Sequence, residues 1–344
     1  MSFNQYTWDL YKQTTIGIEM IKYFSDAGGY VLFKDYCPYA NFIPEDLYND
    51  WLENIYCYGV SDYDHPSSLE EAKDLYISLI TLGIRVEGQQ WLPANDFKNM
   101  LGIIQPMSYV LSQFAPEYFF PYLFLCRIFE LNKIADFFNI DLPNIPKRTD
   151  YKGRCMYYWE LCEVFYLFRK ENGLSPADLW SFLYDFAPNN LPSEKIDMPK
   201  PSQVWFIGGR LYQEDKSLES KFWQSSPETK KGDILVHYET SPISAITCIE
   251  ISLTDGVIDP LFRYYGCIYI GNRINIPHIT LKELQTDEYF FKHPLVRKNF
   301  QGVNGWSVNS ENYSELLRMI KTKGFDIEVL PKIVCPNLAQ RRNY

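Results

Sequence analysis

At 344 residues, with 46% hydrophobic and 17% aromatic side chains, the chain exceeds the usual single-domain size and can bury two cores, which excludes a disordered protein. Its formal net charge of −10 is uneven: residues 1–197 hold 15 Lys+Arg against 27 Asp+Glu, and residues 198–344 hold 18 against 16. A long electrostatic groove for a polyanion is thereby excluded from the first half, whose acidic surface suits a protein partner better. No basic segment followed by an apolar one opens the chain, so no signal peptide is expected. The longest apolar run, Tyr118 to Cys126, contains Pro121 and stops at Arg127, too short for a bilayer; it reads as a buried helix, and the protein as cytoplasmic with no membrane partner. Eight cysteines occur without a CxxC pair. Cys57, Cys126, Cys162 and Cys267 sit in apolar company and predict reduced, packed thiols. His65, His237, His278 and His293 are scattered, so neither a metal nor a cofactor is expected.

The first half reads as helices. Met20, Tyr23 and Phe24 share one face, and Pro44-Glu45-Asp46 opens a helix carrying Leu47, Trp51 and Ile55. Ser67-Ser68 with Glu70-Glu71 offers a capping box in two registers before Leu75, Leu79 and Leu82. Further helices are predicted over 96–114, 118–138, 154–172 and 175–186. The four prolines at 188, 192, 199 and 201 mark a semi-extended linker. Beyond it the hydrophobic period changes. Val204 to Ile207, Ile234 to Val236, Ala245 to Ile251 and Tyr264 to Ile270 are strand-like, while Thr280 to Leu284 and Ser310 to Ile320 are helical, with Ser310 as a cap. The expected organisation is a helical domain over 1–190, a linker over 191–202, a β-rich domain over 203–335 and a tail over 336–344.

The β-rich part carries the specific motifs. A first strand ends at Gly208-Gly209, the pair Phe222-Trp223 follows, and Lys230-Lys231-Gly232-Asp233 turns into the strand Ile234 to Tyr238. The module closes with Phe300-Gln301-Gly302-Val303-Asn304-Gly305-Trp306. Together these resemble the EVE branch of the PUA-like barrels, which are similar to YTH readers of modified bases. The resemblance covers about residues 203–322. It implies an α+β protein: an all-helical N-terminal domain followed by a PUA-like barrel with flanking helices. It implies a reader of modified DNA or RNA that holds one flipped, methylated base in an aromatic pocket, the helical domain coupling it to a protein partner.

Each site residue has a structural reading beside the functional one. Trp223 either walls the pocket by stacking or packs the barrel. Trp205, Ile207, Gly208 and Gly209 end the first strand where relatives present main chain and small polar groups to the base edge; a tight turn is the alternative. The relatives often carry a polar pair where this chain has two glycines, which leaves the identity of the base open. His237, Tyr238 and Ser241 follow the buried strand, in an order that differs from the Tyr-His-Ser tract of EVE-like sequences. They either bond a base edge or are solvated. Tyr264 and Tyr265 begin a strand, so alternation lets at most one line a pocket. Gln301, Asn304 and Trp306 either read a base through amides or close the barrel.

Catalysis is not the expectation. Asp62, Asp64 and Glu71-Ala72-Lys73 mimic a nuclease triplet on what reads as a helix, and no P-loop, GxSxG or kinase signature occurs. Lys147, Arg148, Lys152 and Arg154 form the basic cluster of the acidic half and read as a solvated connector. The rival readings are an ASCH-like hydrolase of modified nucleosides and an interaction module that has lost base binding.

Overall fold

The computed structural model describes residues 3–37, 40, 43–86, 89–192, 198–210 and 221–333. Residues 193–197 of the expected linker and the whole tail from 336 lie outside the described residues. The chain divides into two compact units, Met1–Glu194 with Asp259–Tyr265, and Lys195–Ile258 with Gly266–Tyr344. It is a mixed α+β protein.

The first unit carries helices Gln5–Gln13 (α1), Thr15–Asp26 (α2), Gly29–Tyr36 (α3), Glu45–Ile55 (α4), Leu69–Leu82 (α5), Phe97–Met100 (α6), Ile104–Phe114 (α7), Ile128–Phe138 (α8), Tyr151–Glu171 (α9), Pro176–Ser181 (α10) and Ala187–Asn190 (α11). Six of these starts carry a side-chain cap. Ser68 accepts the Glu71 N–H while the Glu71 carboxylate reaches back to Ser67, and Ser175 and Asp178 form a reciprocal capping box.

The expectation of an all-helical first unit needs correcting. Ile84–Val86 (β1) and Gln89–Leu92 (β2) form a short antiparallel hairpin. Gly83, at φ +76°, makes the entry: a Cβ there would stand 2.2 Å from the Leu92 carbonyl oxygen. The helix expected from residue 118 begins only at Ile128, and the stretch before it is non-helical and buried. Pro121 supplies no donor, and side chains take the place of helical partners. Tyr158 and Tyr184 donate hydroxyl bonds to the carbonyls of Phe120 and Pro121. Ser108 and Tyr184 accept the N–H groups of Tyr122 and Leu123. The apolar run was legible as buried, but its conformation depends on hydroxyls far away in sequence.

The segment Asp259–Tyr265 completes this unit. The Asp259 carboxylate, fully buried, accepts N–H bonds from Leu261 (2.9 Å), Phe262 (3.1 Å) and Cys126 (3.4 Å). Arg154 donates to the carbonyls of Pro260 (2.8 Å), Phe262 (2.6 Å) and Arg148 (3.0 Å), so it is a buried clamp and not part of a solvated connector. Tyr264 and Tyr265 lie in this segment, ahead of the strand they were expected to begin. Cys57 is exposed, which corrects its reading as a packed thiol; the described cysteines form no disulfide.

The second unit is a seven-stranded sheet of Val204–Gly209 (β3), Lys221–Gln224 (β4), Ile234–Glu239 (β5), Ala245–Ser252 (β6), Val257–Ile258 (β7), Gly266–Thr280 (β8) and Trp306–Val308 (β9). The strand order is β4-β8-β6-β5-β3-β9, with β7 paired to β8, and the sheet curls into a half-barrel. Only β3 and β5 run parallel among the described pairs. Asp233 fixes the start of that pair. Its carboxylate accepts the N–H groups of Ser202, Gln203 and Lys230, the Ser202 hydroxyl and the Trp205 indole N–H. Gly232, at φ +90°, is required because a Cβ would meet the Pro199 carbonyl oxygen at 2.4 Å. The Lys-Gly-Asp signal therefore has a structural cause.

Period-two alternation gives the sheet two faces. Phe206, Val236, Tyr238, Ile246 and Ile249 pack on Leu281–Thr286 (α12), Pro294–Arg297 (α13) and Ser310–Thr322 (α14), each buried side chain contributing roughly 1.5–3 kcal/mol. Asn309, not Ser310, caps α14. Trp205, Ile207, Leu235, Ile268 and Ile270 form a smaller cluster on the other face. No described helix is long and apolar enough to cross a membrane.

Candidate functional site

The smaller face also carries polar groups. Trp223 is half-buried in β4, which pairs antiparallel with β8, and its indole packs on the small apolar cluster. At the end of β3, Gly209 leaves room for that ring: a Cβ would lie 2.5 Å from Cζ2 of Trp223. Gly208 is small for a different neighbour, since its Cβ would meet Val303 at 2.4 Å. The glycine pair thus lets the main chain of β3 approach two groups closely.

His237 meets Trp223 edge-on, with ring centroids 4.8 Å apart and planes inclined by 62°. The imidazole is fully buried, and Nδ1 lies 3.0 Å from Oε2 of Glu250. The other Glu250 oxygen, Oε1, accepts from Arg273, at 2.7 Å from Nε and 2.6 Å from the guanidinium terminus. Burial, the largest influence on Glu250, pushes its pKa upward, but bonds and charge from His237 and Arg273 together hold it below the ordinary carboxylate value. An ionised Glu250 is an acceptor, so Nδ1 of His237 carries the proton that it receives. Nε2 of His237 is buried without a hydrogen-bond partner among the described residues, a situation that ordinarily costs about 1–3 kcal/mol.

Strand register builds this row. His237 on β5 pairs with Cys248 on β6, and Leu235 pairs with Glu250, so Cys248 and Glu250, two residues apart, point to one face. Donor atoms of His237, Cys248 and Glu250 lie within 4.8 Å of one another, a grouping that sequence spacing did not suggest. A cation there would compete with Arg273 for Glu250. Burial moreover pushes the Cys248 thiol up to about 12, far from the thiolate that a metal requires. The residues as they stand fit a proton-linked network better than a metal site.

A second set of bonds frames the edge of the face. Asn304 accepts the Gly208 N–H at 2.8 Å and donates to Oε1 of Gln224 at 3.3 Å, tying the 301–305 loop to the ends of β3 and β4. The structure therefore brings together Trp223, His237, Gly208, Gly209 and Asn304 from the expected set. Trp205 and Ile207 lie on the same face but are core, the Trp205 indole N–H being used by Asp233. Tyr238 stacks on Phe300 at 4.0 Å on the helix-covered face, and Trp306 packs on that same face. Ser241 and Gln301 are exposed in loops. Tyr264 is exposed in the segment that belongs to the first unit, and Tyr265 donates from there to the Pro146 carbonyl at 2.5 Å. Glu250, Arg273, Cys248 and Gln224 were missed. The available signal was Glu250 itself, a charged residue in the middle of the buried strand Ile246 to Ile251.

No protein-family model matches the chain, and no curated protein matches it. Among solved structures, the NMR structure of Rpa0253 from Rhodopseudomonas palustris is similar over 35% of this chain and 94% of that one, at 14% identity and a TM-score of 0.31. That likeness is too low to establish a shared fold.

Proposed function

We propose that the second unit holds a single planar nucleobase against Trp223, as a non-catalytic reader of modified DNA or RNA. One observation carries the reading: a half-buried indole lies over the glycine end of β3, and beside it stands a buried histidine with a ring nitrogen that has no partner among the described residues. A flipped base needs an apolar plane to stack on and a polar partner for its edge. Trp223 supplies the plane. Nε2 of His237 supplies a hydrogen-bonding group for the base edge, once the indole has shifted to let the base reach it. The Gly208 N–H is already occupied by Asn304, so Asn304 shapes the edge of the site instead of reading the base directly.

The similarity of the glycine turn, the Trp223 position and the Lys-Gly-Asp turn to EVE-type barrels supports the same reading. Hydrolysis has less support: the Cys248 thiol is held protonated, and Glu250 is committed to His237 and Arg273.

The test is a panel of modified and unmodified oligonucleotides titrated against wild type and Trp223→Ala, with thermal unfolding run beside it. A bound modified oligonucleotide should lose about five- to a hundredfold in affinity in the variant, the equivalent of one lost stacking face of roughly 1–3 kcal/mol. If no oligonucleotide binds wild type, or if binding survives Trp223→Ala with an intact fold, the reading fails.

A further inference from the structure

A separate cavity lies in the first unit. It measures about 410 Å³, within the range of small-molecule sites and larger than a single side chain needs. Leu52 and Val110 give it an aliphatic lining, and Tyr56, Tyr109, Phe114 and His65 an aromatic one. Glu53 and Gln113 complete the lining, and Glu53 is its one carboxylate.

The aromatic residues are held in place by contacts with one another and with the neighbouring main chain. His65 stacks on Phe114 with centroids 4.1 Å apart and planes inclined by 15°. Tyr109 is half-buried and donates its hydroxyl to the Ala27 carbonyl at 3.4 Å. Tyr56 begins a π-helical turn, Tyr56–Val60, directly after α4. Such turns carry an extra residue and recur at functional sites, because they re-aim side chains that an α-helix would place elsewhere. Here the turn leaves Tyr56 about half exposed at the cavity.

Charge selects the ligand. From Glu45 to His65 the chain has six carboxylates and no Lys or Arg, and α7, the opposite wall, has no charged residue. Glu53 makes no ion pair among the described residues. A phosphorylated or carboxylated ligand would find no counter-charge in this lining. A cation finds both a carboxylate and the negative faces of several rings.

We infer that this cavity is a binding site for a small organic cation with a flat or apolar body, such as an amidinium, guanidinium or substituted ammonium. The body packs against Tyr56, Tyr109 and the aliphatic Leu52 and Val110, and the charged end pairs with Glu53. The site is independent of the base-reading proposal.

The test uses the full chain and three isosteric probes at low salt: benzamidine (cation), benzamide (neutral) and benzoate (anion). Ligand-observed NMR titrations should show benzamidine binding in the millimolar range, benzamide about threefold weaker or worse, and benzoate not at all. Glu53 is exposed, so Glu53→Gln should keep the melting temperature and erase the preference for benzamidine over benzamide. Tyr56→Ala should weaken both by about two- to fivefold. Benzamidine and benzamide binding equally, benzamidine unaffected by Glu53→Gln, or no benzamidine binding to wild type would each overturn the inference.

Discussion

Asp259 in the first unit and Glu250 in the second are both carboxylates taken almost wholly out of water, yet they are held in opposite ways. Asp259 is held by main-chain N–H groups, with Arg154 turned mainly to neighbouring carbonyls. Burial dominates there and raises its pKa to about 6. Glu250 faces a guanidinium and an imidazole directly, and it stays below its ordinary value. The first arrangement fixes a segment of chain. The second leaves a ring nitrogen of His237 without a partner among the described residues, free to meet a ligand.

The comparison breaks most visibly at Arg154. Arg154→Met removes donors from three carbonyls, two of them in Asp259–Tyr265, and the guanidinium that helps Asp259 ionise. The expected cost is about 3–5 kcal/mol, seen as a melting temperature lowered by roughly 6–20 °C. A shift under a few degrees would show that the segment is not clamped. The same dependence predicts that residues 1–198 alone, lacking 259–265, melt less cooperatively than the full chain.

A pH series distinguishes the two carboxylates. The folded value for Asp259 lies above the unfolded one, so its contribution to stability is fully present below about 3.8 and is lost as pH rises through about 6. That shift corresponds to about 3 kcal/mol. Comparing denaturant unfolding at pH 4 and pH 7.5, Asp259→Asn should gain roughly that much relative to wild type at the higher pH. A constant difference between the two proteins would mean that Asp259 does not titrate there. Glu250 has the opposite sign. Its contribution is present above about 4.5 and is lost only as pH falls through its lower folded value. Glu250→Gln should therefore cost about 2–3 kcal/mol at neutral pH and flatten the acid limb of the stability curve. An acid limb unchanged from wild type would place the acid sensitivity elsewhere.

What the sequence revealed of these two regions follows the range of the interactions. The change from helical to strand period, the capping residues at Ser68 and Ser175 and the turn at Gly232-Asp233 are local, and all of them could be read. The non-helical stretch before Ile128 could not, because its carbonyls are satisfied by Tyr158 and Tyr184. Nor could the placing of Tyr264 and Tyr265, whose segment belongs to the first unit although it lies between two strands of the second. At the candidate site, Trp223, Gly209 and His237 stood out by type. The junction of His237 with Glu250 depends on the pairing of β5 with β6, and that of Glu250 with Arg273 on a register shift between β6 and β8; no spacing along the chain encodes either.

The smallest expected effect is also the most local. Gly209 has ordinary negative φ, so Gly209→Ala brings no backbone strain, and its new Cβ would press on Cζ2 and Cη2 of Trp223 at 2.5 and 3.0 Å. These atoms are the outer edge of a half-buried ring that can swing toward solvent, so the cost to stability should stay within about 1 kcal/mol. Swinging the indole should also uncouple it from His237, from which it is now only 4.8 Å away. The expected signature is a near-native melting temperature, red-shifted tryptophan emission, and a loss of oligonucleotide binding larger than the stability change accounts for. If emission and binding both match wild type, the ring has accommodated the methyl group in place, and the close approach of Gly209 to Trp223 is packing with no bearing on the site. If binding falls while emission stays native, the main chain at Gly209, and not the indole, is what meets the ligand.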